Sequence, residues 1–406
     1  MDTHLYIARI VGINANMKNE IPKYLLKDIA TITAGQSPES KYYNTSGDGL
    51  PFFQGKADFG PLYPEIKNYC SQPTKIAEKD DILLSVRAPV GPTNLAPCKV
   101  CIGRGLTAIR PNSSICLKYL LYFFRYYEAQ LQKSGTGTTF KAITQNVVKN
   151  IEVPVPDFTE QERIVSKIEE LFSRLDASVA EFQTAKGRLK VYRQSVLKEA
   201  FLALPKESYL TLDSISDKIF DGPFGSNLKT SDYVESGVRV VRLENLKDGW
   251  FDDSKKSFIS PEKYAQLSKH TIYPSDLIIS TFISNSIKVC QMPKSIGNAI
   301  NKADCVVIRL KEDVLPQFIM YYLMTKQLYN TLIHQVHGAT RPRINTKQIK
   351  SMYVPNPKSC DQTGIVNKIQ RSLSICDSIE QSIDTSLQRA EALRQSILKQ
   401  AFEGKL

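Results

Sequence analysis

Two stretches of the chain repeat apolar residues every seven positions. A seven-residue repeat places its side chains on one stripe of a helix, and a narrow apolar stripe needs a partner helix to cover it. The pattern predicts two helices of about 45 residues, roughly 65 Å each, that pair as an intramolecular coiled coil. The alternative is that each helix packs on its own globular segment. The seven-spaced residues are Ile168, Leu175, Phe182, Leu189 and Val196, and Ile369, Cys376, Ile383, Ala390 and Ile397; their predicted seam neighbours are Ile164, Leu171, Ala185 and Tyr192, and Ile365, Ile379 and Leu393.

The limits of both helices follow from local signals. Pro154 and Pro156 bar helix before the first stretch, and Pro205 ends it. Thr159 stands three residues before Glu162, which is capping-box spacing. Ser359 and Gln362 offer a comparable start for the second helix.

The two helical stretches are copies of one element. The segment RQSVLKEAF beginning at Arg193 recurs as RQSILKQAF beginning at Arg394, an offset of 201 residues, and the junction VPVP at Val153 recurs at the same offset as VPNP at Val354. Upstream of each junction the similarity is weaker but keeps its order, with an offset that drifts from 186 to 199. The chain therefore repeats a unit of one variable module followed by one constant helix.

The sequence of each variable module predicts a mixed α/β fold. Short β-rich runs, such as Asp81–Val86 and Val238–Leu243, are separated by frequent Gly and Pro. A helix is predicted after the strands of each module, over Leu117–Gln132 in the first and Pro316–Gln335 in the second. The predicted domains are residues 1–152, 153–205, 206–352 and 353–406, in the order module, helix, module, helix.

Positive charge is confined to the modules. The whole chain carries +12, of which residues 1–150 hold +7 and residues 206–352 hold +5, whereas residues 151–205 carry −1 and residues 353–406 carry +1. Two basic, loop-rich modules joined by electrically balanced helices are typical of a protein that contacts a polyanion at two places. A basic surface with no partner remains the alternative.

The loops of the modules supply candidate DNA contacts. Gly and hydroxyl residues before a helix can leave backbone N–H groups free for a phosphate, although a plain helix cap explains the same letters. Arg, Asn, Gln and Lys can pair with base edges. The phosphate candidates are Thr138, Thr139 and Lys141, and Thr340, Arg341 and Arg343; the base-reading candidates are Gln36, Gln54, Lys56, Arg87 and Arg104, and Asn227, Lys229, Arg242 and Asn245; Ser226 and Lys347 are further DNA-binding candidates.

Catalytic apparatus is not found in the sequence. It contains no GxxxxGK[ST] phosphate loop, no GxGxxG after a strand and no GxSxG elbow. Glu65-Ile66-Lys67 and Asp253-Ser254-Lys255 match only the tail of a metal-dependent nuclease motif, a pattern expected by chance. Eight scattered cysteines indicate reduced thiols, and the Cys98–Cys101 pair lacks the second pair of a zinc ribbon. We expect no catalytic, cofactor or metal residues in this chain.

The order of these elements resembles the specificity subunit of Type I restriction-modification systems. The resemblance rests on the VPVP junction with Gln161 and Ile164-Val165, on the two long helices, and on the final LRQSILKQAFEGKL; the loop Asp221–Asn227 also resembles one found in that family. It implies two target recognition domains, each reading one half of an asymmetric bipartite site on double-stranded DNA. It also implies that two antiparallel helices fix the unread spacer, in an α+β fold with a pseudo-two-fold internal repeat.

The resemblance further implies partners. Two modification subunits would use S-adenosylmethionine to methylate adenine, and restriction subunits would use ATP and Mg²⁺ to translocate and cut, so that this chain is non-catalytic. No membrane segment is expected, and the location would be cytoplasmic. Three alternatives stay open: a chain with its own undetected nuclease or methyltransferase centre, a subunit of a Type IIB-like system, and a structural coiled-coil adaptor.

Overall fold

A computed structural model describes residues 21–134, 142–205, 209–334, 336, 342–356, 358 and 360–406. The chain divides into two compact units, Met1–Glu181 with Ser386–Leu406, and Phe182–Thr385. Nine α-helices occur in the described ranges: α1 (Leu26–Ile29), α2 (Leu117–Ser134), α3 (Gln145–Lys149), α4 (Phe158–Leu202), α5 (Pro261–Gln266), α6 (Pro316–Leu323), α7 (Lys326–Ile333), α8 (Thr346–Lys350) and α9 (Gln362–Phe402). The prediction of two long helices, α4 and α9, is confirmed.

The first unit contains two larger sheets and one strand pair. Its strands are β1 (Lys23–Leu25), β2 (Ala30–Ala34), β3 (Tyr43–Asn44), β4 (Leu50–Phe53), β5 (Tyr69–Cys70), β6 (Ile76–Ala77), β7 (Ile82–Ser85), β8 (Thr93–Leu95), β9 (Val100–Ile102), β10 (Leu106–Pro111) and β11 (Glu152–Pro154). One sheet has the order β2-β10-β7-β8 and the other β3-β5-β4-β9-β6, in which β4 and β9 run parallel. Strand β1 pairs with β11.

The second unit repeats this topology strand for strand. Its strands are β12 (Tyr209–Thr211), β13 (Ser216–Phe220), β14 (Tyr233–Val234), β15 (Val238–Val241), β16 (Phe258–Ile259), β17 (Thr271–Ile272), β18 (Leu277–Ile283), β19 (Ile287–Gln291), β20 (Ala299–Asn301), β21 (Cys305–Leu310) and β22 (Tyr353–Pro355). The sheets have the orders β13-β21-β18-β19 and β14-β16-β15-β20-β17, with β15 parallel to β20, and β12 pairs with β22. The sequence repeat is therefore also a repeat of fold.

Each four-stranded sheet is buried on both faces. Successive side chains of a strand point to opposite faces. In β7, Ile82 and Leu84 join the core that contains helix α2, whereas Leu83 joins the core under the five-stranded sheet. Leu277 and Ile278 divide in the same way in β18 of the second unit. This two-sided burial explains why these strands read as continuous apolar runs.

The long helices contact each other within each unit, and they run antiparallel there. In the second unit Lys186 lies 2.6 Å from Asp384 and Arg193 lies 2.7 Å from Asp377. In the first unit Arg394 pairs with Asp176. Residue numbers in each pair add to 570, so one helix ascends as the other descends.

The predicted seven-residue stripe is buried in α9 but only in part in α4, where Ile168 is buried and Leu175, Phe182, Leu189 and Val196 are half-buried. The second position of the predicted stripe is partly wrong. The seven-spaced residues of α9, from Ile369 to Ile397, are all buried. Three of the predicted neighbours are exposed: Tyr192 at 53%, Ile379 at 45% and Leu393 at 49%. The residue one position later in each case, Arg193, Glu380 or Arg394, forms the interhelical ion pair instead. The second position of the stripe is therefore partly occupied by charged residues. A heptad pattern that counts only apolar residues places that position one residue too early.

The helix caps also differ from the prediction. The backbone N–H of Glu160 donates to Asp157 Oδ1 at 2.9 Å, and that of Gly364 donates to Asp361 Oδ1 at 2.9 Å. Asp157 thus caps α4 in place of Thr159, and Asp361 caps α9; Ser359 lies outside the described residues. A carboxylate is the stronger acceptor and suits the positive end of the helix dipole.

A glutamine near the start of each long helix binds that helix to its module. Gln161 is fully buried; its Oε1 accepts from Cys116 N, and its Nε2 donates to the carbonyl groups of Ser114 and Pro156. In the second unit Gln362 accepts from Leu315 N at 2.7 Å and donates to Asp313 O at 2.9 Å.

The module helices differ between the units. Helix α2 is continuous, as predicted. Its counterpart is divided into α6 and α7, which corrects the prediction of one helix over Pro316–Gln335. The break is stabilised by Thr325, whose hydroxyl donates to Tyr322 O and accepts from Leu328 N.

Candidate nucleic-acid interface

An open cleft on the first unit brings four predicted residues together. The cleft has a volume of about 520 Å³, and we call it the first cleft. Gln54, Lys56, Arg87 and Arg104 are all exposed along it, although they are up to 50 residues apart in the chain. The remaining lining residues are Ser37, Gly55, Ala57, Ser85, Ala88, Pro89 and Gly105.

Tight backbone turns position these side chains. Arg104 occupies the turn between β9 and β10, where Gly103 N donates to Phe53 O at 2.8 Å and Arg104 N donates to Ser37 Oγ at 3.2 Å. A Cβ on Gly105 would lie 2.3 Å from Gln54 O, so only glycine permits this approach. Arg87 lies two residues after the end of β7, and Lys56 begins a single helical turn after β4. The arginines and the lysine are thus held at the ends of sheet strands.

The second unit has the same backbone arrangement at the equivalent place. Lys302 N donates to Val241 O at 2.9 Å, as Gly103 N does to Phe53 O. Thr281 N donates to Asp304 O at 3.0 Å, as Val86 N does to Gly105 O at 2.9 Å. Ile344 N donates to Thr281 O at 2.9 Å, as Ile143 N does to Val86 O at 3.0 Å. These paired bonds identify the counterpart of the first cleft without reference to side chains.

Two adjoining cavities of about 270 and 350 Å³ lie at this place, and together we call them the second cleft. Arg242 and Lys302 line both cavities. The remaining lining residues are Leu243, Glu244, Ala303 and Asp304, and Thr230, Tyr233, Val234, Lys256, Ser257 and Phe258.

The two clefts differ in charge. The first is lined by three cations and no carboxylate, and within the described ranges none of the three forms an ion pair. The second has three cations and two carboxylates. Arg242 Nη1 lies 3.5 Å from Glu244 Oε1, and Arg343, outside the lining, lies 3.5 Å from Asp304. The first cleft should attract an anion more strongly.

Several predicted residues lie outside both clefts. Gln36 is exposed and precedes Ser37, which lines the first cleft. Arg343 is exposed and stacks on Phe282, with its guanidinium carbon 4.1 Å from the ring centre. Lys347 is exposed on α8.

The loop of the second unit that follows β13 holds Asn227 and Lys229, both exposed. Its start is fixed by Asp221, whose Oδ1 accepts from Gly222 N at 2.7 Å. Burial raises the pKa of the Asp221 carboxyl. The side chain of Ser226 lies outside what the structure describes, as do Thr138, Thr139, Lys141, Thr340 and Arg341.

Asn245 is the one described candidate that the structure places in the interior. It is 1% exposed. Its Oδ1 accepts from Arg242 N at 3.0 Å, and its Nδ2 donates to the carbonyl groups of Asp252 and Lys255, both at 2.9 Å. These bonds shape the turn that presents Arg242, so a base contact by Asn245 would leave buried groups unpaired. We correct its assignment from contact residue to turn residue.

Lys302 and Lys256 line the second cleft but were not among the predicted residues. A signal for Lys302 existed: the matching pair Ile109-Arg110 and Ile308-Arg309 has an offset of 199, and at that offset Lys302-Ala303 aligns with Gly103-Arg104. For Lys256 we find no comparable signal.

The acidic and basic residues that match the tail of a nuclease motif form ion pairs with neighbouring side chains. Glu65 and Lys67 form an exposed ion pair of 2.8 Å, and Asp253 contacts Arg239 and Lys256. No group of three or more metal-ligating side chains occurs in the described ranges, and the eight cysteines are free thiols. Of the described helices, none combines the length and apolarity needed to cross a membrane.

Comparison with known proteins gives consistent results. A sequence profile of the type I restriction modification DNA specificity domain matches residues 19–181 and again residues 230–389. The EcoKI type I restriction enzyme specificity subunit of Escherichia coli K12 is 24% identical over 372 residues, covering 87% of this chain and 80% of that protein. The EcoBI specificity subunit of Escherichia coli is 22% identical over 412 residues, covering 94% and 85%.

Higher identity is found over shorter spans. A provisionally named MjaX type I specificity subunit of Methanocaldococcus jannaschii is 44% identical over 138 residues, so this chain spans about a third (32%) of that relative. The crystal structure of the HsdS subunit from Thermoanaerobacter tengcongensis is 41% identical, with 43% of each chain covered and a TM-score of 0.37.

Proposed function

The chain belongs to the family of Type I restriction-modification DNA specificity proteins, and from that membership we propose that it is the DNA-recognition subunit of such a system. In this proposal each unit reads one half of a bipartite, asymmetric site on double-stranded DNA. The chain itself is non-catalytic.

The observation that carries this proposal is the pair of clefts at equivalent backbone positions. Each includes the residues that follow an equivalent strand, β4 or β15, and the turn between an equivalent pair of strands, β9 and β10 or β20 and β21, and each presents arginine and lysine side chains. Arginine can pair with the O6 and N7 edge of guanine, and lysine neutralises phosphates. The different side chains on one backbone frame are what two different half-sites require.

We assign the base and phosphate contacts to exposed and half-buried residues in and beside the clefts. In the first unit these are Gln36, Gln54, Lys56, Arg87 and Arg104; in the second they are Asn227, Lys229, Arg242, Lys256, Lys302, Arg343 and Lys347. The candidates outside the described residues remain predictions from sequence.

The long helices act in this proposal as a coiled-coil spacer between recognition domains of residues 1–152 and 206–352. The antiparallel ion pairs within each unit and the buried seven-residue repeat of α9 support this role. The helices would also bind two modification subunits.

The remaining chemistry would belong to partner subunits. Adenine methylation would need S-adenosylmethionine on the modification subunits, and cleavage would need ATP and Mg²⁺ on the restriction subunits. Such a complex would act in the cytoplasm.

The proposal is tested by selecting duplexes from a random pool with the chain assembled with its modification subunits. We expect two short conserved blocks separated by a fixed unread gap, and affinity that falls steeply with salt. Uniform binding across the pool would contradict the proposal. Cleavage or methyl transfer by the purified chain alone, supplied with Mg²⁺ or labelled S-adenosylmethionine, would favour a hidden catalytic centre instead.

A further inference from the structure

One arginine of the second unit is held against an aromatic ring and yet keeps its hydrogen-bond donors free. The side chain of Arg343 is 54% exposed, and its guanidinium carbon lies 4.1 Å from the centre of the Phe282 ring. Its ion-pair partner, Asp304 Oδ1, lies 3.5 Å from Nη1, which is longer than an ordinary hydrogen bond. In the part of the chain that the structure describes, the Arg343 side chain forms no hydrogen bond.

Backbone contacts fix both members of this stacked pair. Phe282 and Arg343 lie opposite each other in an isolated antiparallel β-bridge. Hydrogen bonds of 2.9 and 3.1 Å join the residues on either side of Arg343 to the residues on either side of Phe282. The backbone N–H of Phe282 also donates to Ser280 Oγ at 3.0 Å, and the ring is half-buried. The ring is therefore a fixed support for the guanidinium.

The first unit has the same bridge with its arginine on the other segment. There Arg87 lies opposite Ala142, so Phe282 takes the place of Arg87, and Arg343 takes the place of Ala142. Alanine offers no ring on which an arginine could stack. Both units thus keep one arginine at this bridge, but in the second unit the facing residue supports it with an aromatic ring.

Another stacked arginine in the same unit shows the contrasting, structural case. The guanidinium carbon of Arg309 lies 4.3 Å from the centre of the Tyr273 ring. Its Nε and Nη2 donate to Asp276 at 3.1 and 2.7 Å, and Nη2 also donates to Thr271 O at 3.0 Å. The donors of Arg309 are therefore engaged within the fold, whereas those of Arg343 are available to a ligand.

The kind of ligand follows from the stacking. A guanidinium with one face covered by a ring offers its edge in a fixed plane. That edge carries parallel N–H donors, which match two acceptors lying in one plane, such as O6 and N7 of guanine. A contact with a phosphate needs the charge but not the fixed plane. The arrangement therefore suits base reading better than phosphate binding.

We propose that Arg343 reads a guanine of the second half-site, and that Phe282 is the residue that positions it. This inference rests on the proposed function and adds to it one base and the side chain that selects it.

The experiment uses the complex assembled with its modification subunits and the duplex that this complex selects. Guanines are replaced one at a time by 7-deazaguanine, which lacks the N7 acceptor and leaves base pairing intact. We expect the wild type to lose about tenfold in affinity at one guanine. That guanine should lie in the half-site whose base changes are non-additive with Arg242→Gln. Arg343→Gln should bind the natural duplex about 5- to 150-fold more weakly and lose nothing further from that replacement.

Three conservative variants separate the fork from its charge and from its support. Arg343→Lys keeps the charge but not the planar fork, so it should lose most of the discrimination at that guanine with an unchanged slope of log affinity against log salt. Phe282→Leu removes the ring and should also lose discrimination. Phe282→Tyr keeps the ring and should bind as the wild type does. Thermal unfolding of each variant checks that the fold is retained.

Non-additivity of Arg343→Gln with one 7-deazaguanine, together with retained discrimination in Phe282→Tyr, supports the inference. Additive losses, a wild type that is insensitive to every replacement, or a second half-site without guanine on either strand would each overturn it while leaving the proposed function in place. If the wild-type complex shows no sequence-specific DNA binding, the proposed function fails, and this inference fails with it.

Discussion

The two clefts share one backbone arrangement but differ in the carboxylates that accompany their cations. The first presents Lys56, Arg87 and Arg104 without a neighbouring carboxylate in its lining, whereas the second sets Glu244 and Asp304 among its cations. An unpaired cation gives long-range, salt-sensitive attraction to phosphates. A cation held by a carboxylate contributes less attraction but has a better-defined geometry. In the proposed function, the first unit would therefore supply more of the affinity for DNA, and the second would depend more on the fit to its bases.

The largest expected effect comes from removing the charge of the first cleft. In the assembled complex, Lys56→Gln with Arg87→Gln and Arg104→Gln should weaken DNA binding on the order of 100- to 1,000-fold near 0.1 M salt. The slope of log affinity against log salt should fall by about 2.7. Fluorescence anisotropy across a salt series measures both.

The matched control neutralises three cations of the second unit, Arg242, Lys256 and Lys302, each to Gln. Because carboxylates already screen these charges, the slope should change less than in the first triple variant. Equal changes in slope for the two variants would contradict the contrast between the clefts.

An intermediate effect is expected at the glutamines that join the long helices to the modules. Gln161 is fully buried with three hydrogen bonds, and Gln362 is partly exposed with two. Gln161→Ala should lower the free energy of unfolding by about 2 kcal/mol, because it leaves buried backbone groups unpaired, and Gln362→Ala by about 1 kcal/mol. Chemical denaturation measures both, and a larger loss for Gln362→Ala would reverse the order.

The smallest expected effect has the opposite sign. Glu244→Gln with Asp304→Asn should raise DNA affinity a few-fold at low salt, since each substitution removes a negative charge from the second cleft. The gain should vanish as salt increases. A loss of affinity would show that these carboxylates hold Arg242 and Arg343 in place rather than oppose the DNA.

The sequence predicted the parts of the molecule that repeat. The constant offset of 201 located both long helices, and the drifting upstream matches located two modules of one topology. The prediction of an apolar second stripe position was wrong where Arg193, Glu380 and Arg394 take the place of apolar side chains. An ion pair between two helices cannot be recognised from the sequence of either helix alone.

The site was predictable to a lesser degree. Gln54, Lys56, Arg87 and Arg104 stand in turns that the fold brings to one cleft, so turn-rich sequence was a useful guide. Asn245 stands in a similar turn, but its side chain donates to the backbone carbonyl groups of Asp252 and Lys255. Whether a polar turn residue faces solvent or the turn depends on tertiary contacts that the local sequence does not contain.

The central claim is that each cleft reads one half-site, and a set of double-mutant cycles tests it most directly. The assembled complex carrying Arg104→Gln or Arg242→Gln is titrated with the selected duplex and with duplexes altered in one half-site at a time. We expect Arg104→Gln to be non-additive with changes in one half-site only, and Arg242→Gln with changes in the other only. Coupling of both variants to the same half-site, or of either variant to both half-sites equally, would contradict it.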